Sequence, residues 1–217
     1  MTIEIKALTL GIAATNCYIV GNTATNEALV IDAADRAELL LSVAKEAGWT
    51  IKLILATHGH FDHVLAVRAL KEKTGAPFCI HERGSELLKV LPQQGIMFTG
   101  RPFPEAAIPD HRLSDSQEIV EIDGIRLETI YTPGHSPDHI SFFLREQHIL
   151  FCGDCLFAGS VGRVDLPGGN YEQLMRSIVE KLLPLGDDVQ VLPGHMETTT
   201  LGQERQTNPF ILDFLGT

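Results

Sequence analysis

Three histidines and an aspartate crowd into Thr57-His58-Gly59-His60-Phe61-Asp62-His63, directly after the apolar run 51–56. Side chains two positions apart share one face of a strand, so His58 and His60 are expected to project together. Asp62 and His63 would stand at the start of the next helix and face the same pocket. The alternative is a polar turn in which Asp62 only caps that helix. Because three of the 9 histidines lie in this one segment, a metal site is favoured.

Three further residues have the side chains needed to complete such a site. His135, Asp154 and His195 each follow an apolar stretch and a glycine, in Thr-Pro-Gly-His, Phe-Cys-Gly-Asp and Leu-Pro-Gly-His. The glycine permits a close approach of the backbone. Imidazole nitrogen together with carboxylate oxygen suits zinc, manganese or iron. The sequence therefore predicts a metal centre assembled from several loops.

Short runs rich in β-branched residues, separated by turn residues, predict the strands that carry these loops. They lie at Ile3–Leu8, Cys17–Val20, Ala28–Ile31, Ile51–Ala56, Pro77–Ile80, Ile119–Ile122, Ile125–Ile130, Ile140–Leu144, His148–Cys152 and Val189–Leu192. Helical spacing predicts helices at Ala37–Ala47, about Val64–Lys73 and near Tyr171–Leu183. Residues 84–110 are expected to form one short helix and a Gly/Pro-rich surface excursion. Strands in two batches, each followed by helices, favour an α/β (α+β) fold of the four-layer αββα sandwich type.

Composition limits the classes of function. The 217 residues fit one domain, which we predict to span residues 1–217. A formal charge of −11 disfavours a nucleic-acid partner. The 4 cysteines are too few and too unevenly spaced for a secreted disulfide framework. Because no leader and no apolar stretch near ~20 residues is visible, we expect no membrane association and a cytoplasmic location.

The order of these residues resembles the metallo-β-lactamase superfamily, with His-x-His-x-Asp-His, then a distant His, an Asp and a last His. The resemblance covers essentially the whole chain and implies the αββα fold. It implies two divalent metal ions, with zinc foremost and iron or manganese as alternatives. It assigns the ligands as His58, His60 and His135 on the first ion, Asp62, His63 and His195 on the second, and Asp154 bridging both. Asp62 and Asp154 would then act in catalysis together with a metal-bound hydroxide.

Within the superfamily, the Asp62-His63 pair and the bridging aspartate resemble glyoxalase II, whereas β-lactamases typically place a cysteine ligand there. Antibiotic hydrolysis is therefore not expected. The segments 153–157, 162–165 and 204–210 are similar to short bacterial glyoxalase II-like enzymes. Hydroxide shared by two metal ions can attack a carbonyl. Because a thiol has a pKa of ~8.5, its thiolate leaves with little help from a general acid. We expect a hydrolase of small thioesters, with hydroxyacyl-glutathione or a related thioester as its small-molecule partner.

The chain also departs from the longer glyoxalase II enzymes. Those carry a C-terminal helical glutathione-binding domain, which we do not expect here. They tend to have Gly-Lys-x-Tyr where this chain has Gly162-Arg163-Val164-Asp165. Arg163, Cys155 and His139 are candidates for substrate contact, and an ion pair with Asp165 is the alternative role for Arg163.

Two other functions stay open at this point. The Gly-Arg-x-Asp segment also resembles persulfide dioxygenases, which hold a single iron with two histidines and an aspartate. His58, His135 and Asp154 would then bind the iron, although the Leu-Pro-Gly-His195 turn is closer to the hydrolases. A broader ester or lactone hydrolase is the third possibility. Asp32, at the end of an early strand, is expected either to orient a ligand imidazole or to cap a helix.

Overall fold

A computed structural model describes residues 3–216, and the chain divides into two compact units. The first unit comprises Met1–Leu113 and Glu121–Arg126, and the second comprises Ser114–Val120 and Leu127–Thr217. Each unit is built on its own mixed sheet with helices. In the part of the chain that the structure describes, no helix is long and apolar enough to cross a membrane.

A six-stranded sheet forms the first unit, with its strands in the order β1-β2-β3-β4-β5-β6. The strands are β1 (Ile3–Leu10), β2 (Thr15–Asn22), β3 (Glu27–Ile31), β4 (Thr50–Leu55), β5 (Phe78–His81) and β6 (His111–Leu113). The first three pair antiparallel, and β3 to β6 pair parallel. Because parallel neighbours need crossover connections, helices occupy the intervals between them. These helices are α1 (Ala37–Glu46), α2 (Phe61–Val64), α3 (Val67–Thr74), α4 (Gly84–Lys89) and α5 (Leu91–Thr99).

The core of the first unit fixes the end of β4, directly before the histidine segment. Ile54 and Leu55 at the end of β4 are fully buried, as are Val30 of β3 and Phe78 of β5 on the neighbouring strands. Burial on both faces is typical of parallel strands covered by helices. The strand is therefore held firmly, and Thr57 lies just beyond its end, at the carboxyl-terminal edge of the sheet.

The second unit contains a six-stranded sheet in the order β14-β13-β10-β9-β8-β7, and the residues 121–126 at the β7–β8 turn are counted with the first unit. Its strands are β7 (Ile119–Ile122), β8 (Ile125–Tyr131), β9 (Ile140–Leu144), β10 (Ile149–Gly153), β13 (Gln190–Pro193) and β14 (Thr199–Thr200), with a separate hairpin of β11 (Leu156–Phe157) and β12 (Ser160–Val161). β10 and β13 run parallel, with Gly153 opposite Pro193. Parallel strands end at the same edge, so Asp154 and His195 emerge from neighbouring strand ends.

The helices of the second unit differ in part from those expected. The predicted helix near Tyr171–Leu183 exists, but α6 (Tyr171–Arg176) continues as a π-helical segment over Ser177–Leu182 and a 3-10 turn over Leu183–Leu185. Two terminal helices, α7 (Leu201–Thr207) and α8 (Pro209–Leu215), were not predicted. Their capping residues are local signals for them, because Thr200 accepts from the Gln203 N–H and Asn208 from the Phe210 N–H.

Two predictions for the first unit are wrong in detail. The helix expected from about Val64 is split, because α2 ends at Val64 and α3 begins at Val67. The excursion over 84–110 contains two helices rather than one. Pro92 lies in the first turn of α5, where its missing N–H costs nothing, so it begins a helix instead of breaking one.

Candidate functional site

His58 and His60 direct ring nitrogens toward one another at the end of β4. His58 Nε2 lies 2.9 Å from His60 Nδ1, and the two rings are nearly perpendicular at 84°. Two nitrogen ligands of one tetrahedral ion, each about 2.0–2.1 Å from the metal, would be separated by roughly 3.3 Å. The observed pair is close to that spacing. The two imidazoles therefore fit two ligands of one ion.

Asp32 fixes the orientation of His63 directly and of His58 through Thr57. Its carboxylate accepts hydrogen bonds from the Thr57 N–H at 2.7 Å, the Thr57 hydroxyl at 2.9 Å and His63 Nδ1 at 2.9 Å. The Thr57 hydroxyl donates its single proton to Asp32. Its oxygen therefore accepts a hydrogen bond of 3.0 Å from His58 Nδ1. Both imidazoles are thereby held with Nε2 deprotonated, as metal binding requires. Arg36, not Asp32, precedes α1, so of the two roles expected for Asp32 the orientation of an imidazole is confirmed.

Asp62 and His63 form a second donor pair in the first unit. Asp62 Oδ2 lies 3.5 Å from His63 Nε2, and it accepts a hydrogen bond of 2.9 Å from the Thr15 hydroxyl. His63 is fully buried, whereas Asp62 keeps part of its carboxylate exposed. One carboxylate oxygen and one imidazole nitrogen at ligand spacing fit a second ion.

In the second unit, one oxygen of Asp154 lies beside two histidines. Asp154 Oδ2 is 3.6 Å from His135 Nε2 and 3.4 Å from His195 Nε2. Each distance is near the separation of two ligands on one ion. An oxygen that meets both imidazoles is suited to bridging two cations, which is the role expected for Asp154.

Backbone contacts hold these three residues in place. His135 Nδ1 donates to the Arg163 carbonyl at 2.7 Å, which leaves Nε2 as its ligand nitrogen. A Cβ at Gly162 would stand 1.9 Å from the Asp154 carbonyl oxygen, so only glycine allows this approach. The Asp154 N–H donates to His139 Nε2 at 3.1 Å. The loops bearing His135 and Asp154 are therefore tied together.

The three candidates for substrate contact have other partners in the structure. Arg163 forms a two-pronged ion pair with Asp165, at 2.7 Å for each contact, which lowers the pKa of Asp165 to about 2. His139 is fully buried, with Nδ1 2.9 Å from the Thr132 hydroxyl and Nε2 on the Asp154 backbone. Burial raises the pKa of the enclosed Cys155 thiol well above its ordinary value. A substrate contact for these residues stays a prediction.

Three residues of the site were not singled out from the sequence. Thr15 supports Asp62, Thr57 connects His58 to Asp32, and Gln94 accepts from the Phe61 N–H at 2.9 Å. Thr15 and Gln94 are distant in sequence from the groups they contact. No local pattern marks them, although Thr57 directly precedes the histidines.

The donor set of both units consists of imidazole nitrogens and carboxylate oxygens, and the histidine and aspartate clusters fit a metal site. A model of the metallo-beta-lactamase superfamily matches residues 10–195 of the chain. The chain belongs to this superfamily. Metallo-beta-lactamase proteins bind divalent metal ions, and the mixed α/β fold expected from the sequence is confirmed.

Similar proteins agree with this placement. The hydroxyacylglutathione hydrolase GloC of Haemophilus influenzae is 41% identical over 197 residues, covering 90% of this chain and 92% of its own. The structure of BLEG-1, described as a B3 metallo-beta-lactamase, has a TM-score of 0.90 at 37% identity and covers 96% of this chain and 99% of its own. The structure of TTHA1623 in a di-iron-bound form has a TM-score of 0.85 at 36% identity, covering 94% and 99%. The chain is accordingly a metallo-hydrolase of the metallo-beta-lactamase superfamily.

Proposed function

We propose that the protein hydrolyses small thioesters in the manner of a glyoxalase II, with hydroxyacyl-glutathione or a related thioester as substrate. The observation that carries this proposal is the 41% identity to GloC, named as a hydroxyacylglutathione hydrolase, over 90% of the chain. The Asp62-His63 pair, and an Asp154 oxygen that lies close to both His135 and His195, support the same conclusion. His58, His60 and His135 would hold one ion, Asp62, His63 and His195 the other, and Asp154 both.

When bound, a pair of divalent ions supplies a water whose pKa is lowered toward ~7 and a positive charge for a developing oxyanion. The chain's own residues supply orientation. Asp32 and the Arg163 carbonyl keep His63 and His135 in the tautomer that offers Nε2. Asp62 and Asp154 would orient the attacking water through their carboxylate oxygens. Because a thiolate is a good leaving group, the reaction needs no strong general acid.

The proposal is tested by metal analysis of the purified protein and by three activity assays. We expect two metal equivalents per chain and hydrolysis of lactoyl-glutathione. Oxygen uptake with a glutathione persulfide and one iron per chain would instead support a persulfide dioxygenase. Cleavage of a cephalosporin, tested because of the similarity to BLEG-1, would contradict the thioesterase assignment if thioesters were left intact.

Replacing Asp154 by Ala should remove metal and activity together. A carboxylate that contacts both ions contributes more than the residues that merely support a ligand, whose loss costs ~10–100-fold. We therefore expect kcat/KM for the thioester to fall by more than ~100-fold, with the metal content falling in parallel. Asp213→Ala, on the exposed surface of α8, is the matched control and should keep both. Unchanged turnover in Asp154→Ala would contradict the two-metal proposal.

A further inference from the structure

His139 is a buried residue that contacts the backbone of the turn bearing Asp154. The Asp154 N–H donates to His139 Nε2 at 3.1 Å. This N–H lies inside the turn that the Cys155 N–H closes on the Cys152 carbonyl, also at 3.1 Å. A backbone N–H that is buried needs an acceptor. Because His139 is fully buried beside the turn, its imidazole serves as that acceptor.

Hydrogen bonding determines which nitrogen of His139 carries the proton. Nε2 accepts from the Asp154 N–H, so the imidazole is neutral and its proton is on Nδ1. Nδ1 therefore donates to the Thr132 hydroxyl, 2.9 Å away. The Thr132 proton is then available to the Ser141 hydroxyl, at a further 2.9 Å. Because Thr132 and Ser141 are fully buried as well, this row of contacts holds the ring in one orientation.

The Asp154 backbone is held at its carbonyl as well as at its N–H. A Cβ at Gly162 would stand 1.9 Å from the Asp154 carbonyl oxygen, so the two segments are in close contact there. The backbone of a residue has only φ and ψ as soft angles, and its N–H and carbonyl stand on either side of them. Fixing both groups therefore fixes both angles, and with them the point from which the carboxylate leaves the backbone.

The position of this carboxylate matters because one of its oxygens would serve two ions in the proposed centre. Asp154 Oδ2 lies 3.6 Å from His135 Nε2 and 3.4 Å from His195 Nε2. Groups in such a centre must be held within about 0.5 Å of the productive geometry. His139 also ends the loop that carries His135, because the Thr132 N–H donates to the His139 carbonyl at 3.0 Å. One residue thus joins the loop of one proposed ligand to the backbone of another.

We propose that His139 is a positioning residue for the Asp154 carboxylate, and that it acts through the hydrogen bond from the Asp154 N–H to Nε2. The essential feature is an acceptor at the place of Nε2, whereas the contact of Nδ1 with Thr132 orients the ring. This inference rests on the proposed thioesterase function and adds to its metal centre a residue that binds neither ion. Without the contact, the carboxylate would bind the ions less tightly and orient the attacking water poorly.

Two amide side chains separate the two hydrogen bonds of His139. The amide of glutamine reaches as far from the backbone as Nε2, so His139→Gln keeps an acceptor for the Asp154 N–H. The amide of asparagine reaches only as far as Nδ1, so His139→Asn keeps the Thr132 contact and loses the one with Asp154. Competition with a chromophoric chelator measures the metal affinity. We expect it to fall about 10–100-fold in His139→Asn and to stay within about threefold in His139→Gln.

Activity and stability measurements separate positioning from folding. With saturating metal, kcat for lactoyl-glutathione should fall by up to about 100-fold in His139→Asn while KM changes little, because the attacking water is misplaced. The Tm values of the two variants in chelator should agree within about 4 °C. His148→Asn is the matched control, because it makes the same substitution at an exposed histidine of the second unit, and it should keep wild-type affinity.

The contrary outcomes differ from one another. Wild-type affinity in His139→Asn, or equal losses in both variants, would overturn the inference. A raised KM in both variants with unchanged metal affinity would instead make His139 a substrate contact. Where His139→Asn does not fold, a loss beyond about 10-fold in a folded His139→Gln overturns the inference alone. If the wild type binds metal but hydrolyses no thioester, the proposed function fails, and the affinities still decide the role of His139.

Discussion

Asp32 joins three groups of the histidine loop without itself belonging to the proposed ligand set. Its carboxylate, almost fully buried, serves the Thr57 backbone, the Thr57 hydroxyl and His63. A buried charge of this kind is tolerated because hydrogen bonds satisfy it. Its φ of 55° lies in the left-handed region, which aspartate and asparagine adopt more readily than most residues. Aspartate therefore suits this position both by its charge and by its backbone preference.

Replacing Asp32 by Asn tests the charge while keeping the shape and the backbone preference. We expect the affinity for metal to fall by about 10–100-fold, because the imidazole of His63 loses the anionic partner that fixes its orientation and raises its basicity. Competition with a chromophoric chelator measures this affinity. Asp35→Asn, three residues along the same loop, should change it little. An Asp32→Asn protein with wild-type affinity would show that the carboxylate has only a structural role.

At the residue scale, the sequence predicted the groups that could bind metal but not their supports. Ligand side chains are recognised by type and spacing, since each lies in a loop or at the start of a short helix that follows a strand. Thr15 and Gln94 do not share that property, because a threonine at a strand start or a glutamine in a helix is common in any protein. Their roles come from contacts across 47 and 33 residues, which no local pattern encodes.

The terminal helices anchor the β11–β12 hairpin, which follows Asp154 in the chain and leads to Arg163. The buried Glu204 of α7 accepts from the Gly159 N–H at 2.8 Å and the Thr199 hydroxyl at 2.7 Å. The buried Asn208 donates to Glu204 at 2.7 Å and to the Ser160 carbonyl at 3.0 Å. Glu204 and Asn208 thus form one buried polar cluster that holds the hairpin leading to Arg163, whose carbonyl contacts His135.

Replacing Asn208 by Asp tests this cluster. Aspartate keeps the oxygen that caps α8 but sets a second carboxylate against Glu204, where an unpaired buried charge costs about 3 kcal/mol. We expect a loss of about that size in the free energy of unfolding, measured by urea denaturation near neutral pH. The matched control is Asn170→Asp at the exposed start of α6, where a negative charge should be neutral or slightly stabilising. Equal stability of the two variants would contradict the anchoring role.

At the element scale, the strands of four or more residues were predicted best and the segment over 84–110 worst, whereas the short strands β6, β11, β12 and β14 were not predicted. Buried strands such as β9, at Ile140–Leu144, produce apolar runs that the sequence shows directly. The helix α5 contains Pro92 and Gly95 and is followed by Gly100, all of which ordinarily indicate loops. The proline stands in the first turn, and the glycine makes room for Phe103. Their meaning depends on position within the helix and on tertiary contacts, which the sequence does not reveal.

For the whole molecule, the proposed metal centre is recognised from the order of its ligands along the chain rather than from any single contact. The first unit offers His58, His60, Asp62 and His63, and the second offers His135, Asp154 and His195. All seven of these residues lie within the range 10–195 that the family model matches, and their assignment as ligands stays a prediction. The prediction of one domain over residues 1–217 stays a prediction, as do the absence of a nucleic-acid partner and the cytoplasmic location. The formal charge of −11 would be partly offset locally by divalent cations.

Metal binding is therefore expected to stabilise the whole chain. An ion that binds only the folded protein adds about 2.7 kcal/mol at a free concentration of 100 times its Kd, which corresponds to about 5–10 °C in Tm for a chain of this length. Calorimetry with metal and with chelator measures the difference. Asp154→Ala should abolish this increase, whereas Asp188→Ala, which removes an exposed partner of His148, should retain it. A wild-type Tm that is identical with metal and with chelator would contradict the proposal that these residues bind the ions, because binding to the folded state must raise its stability.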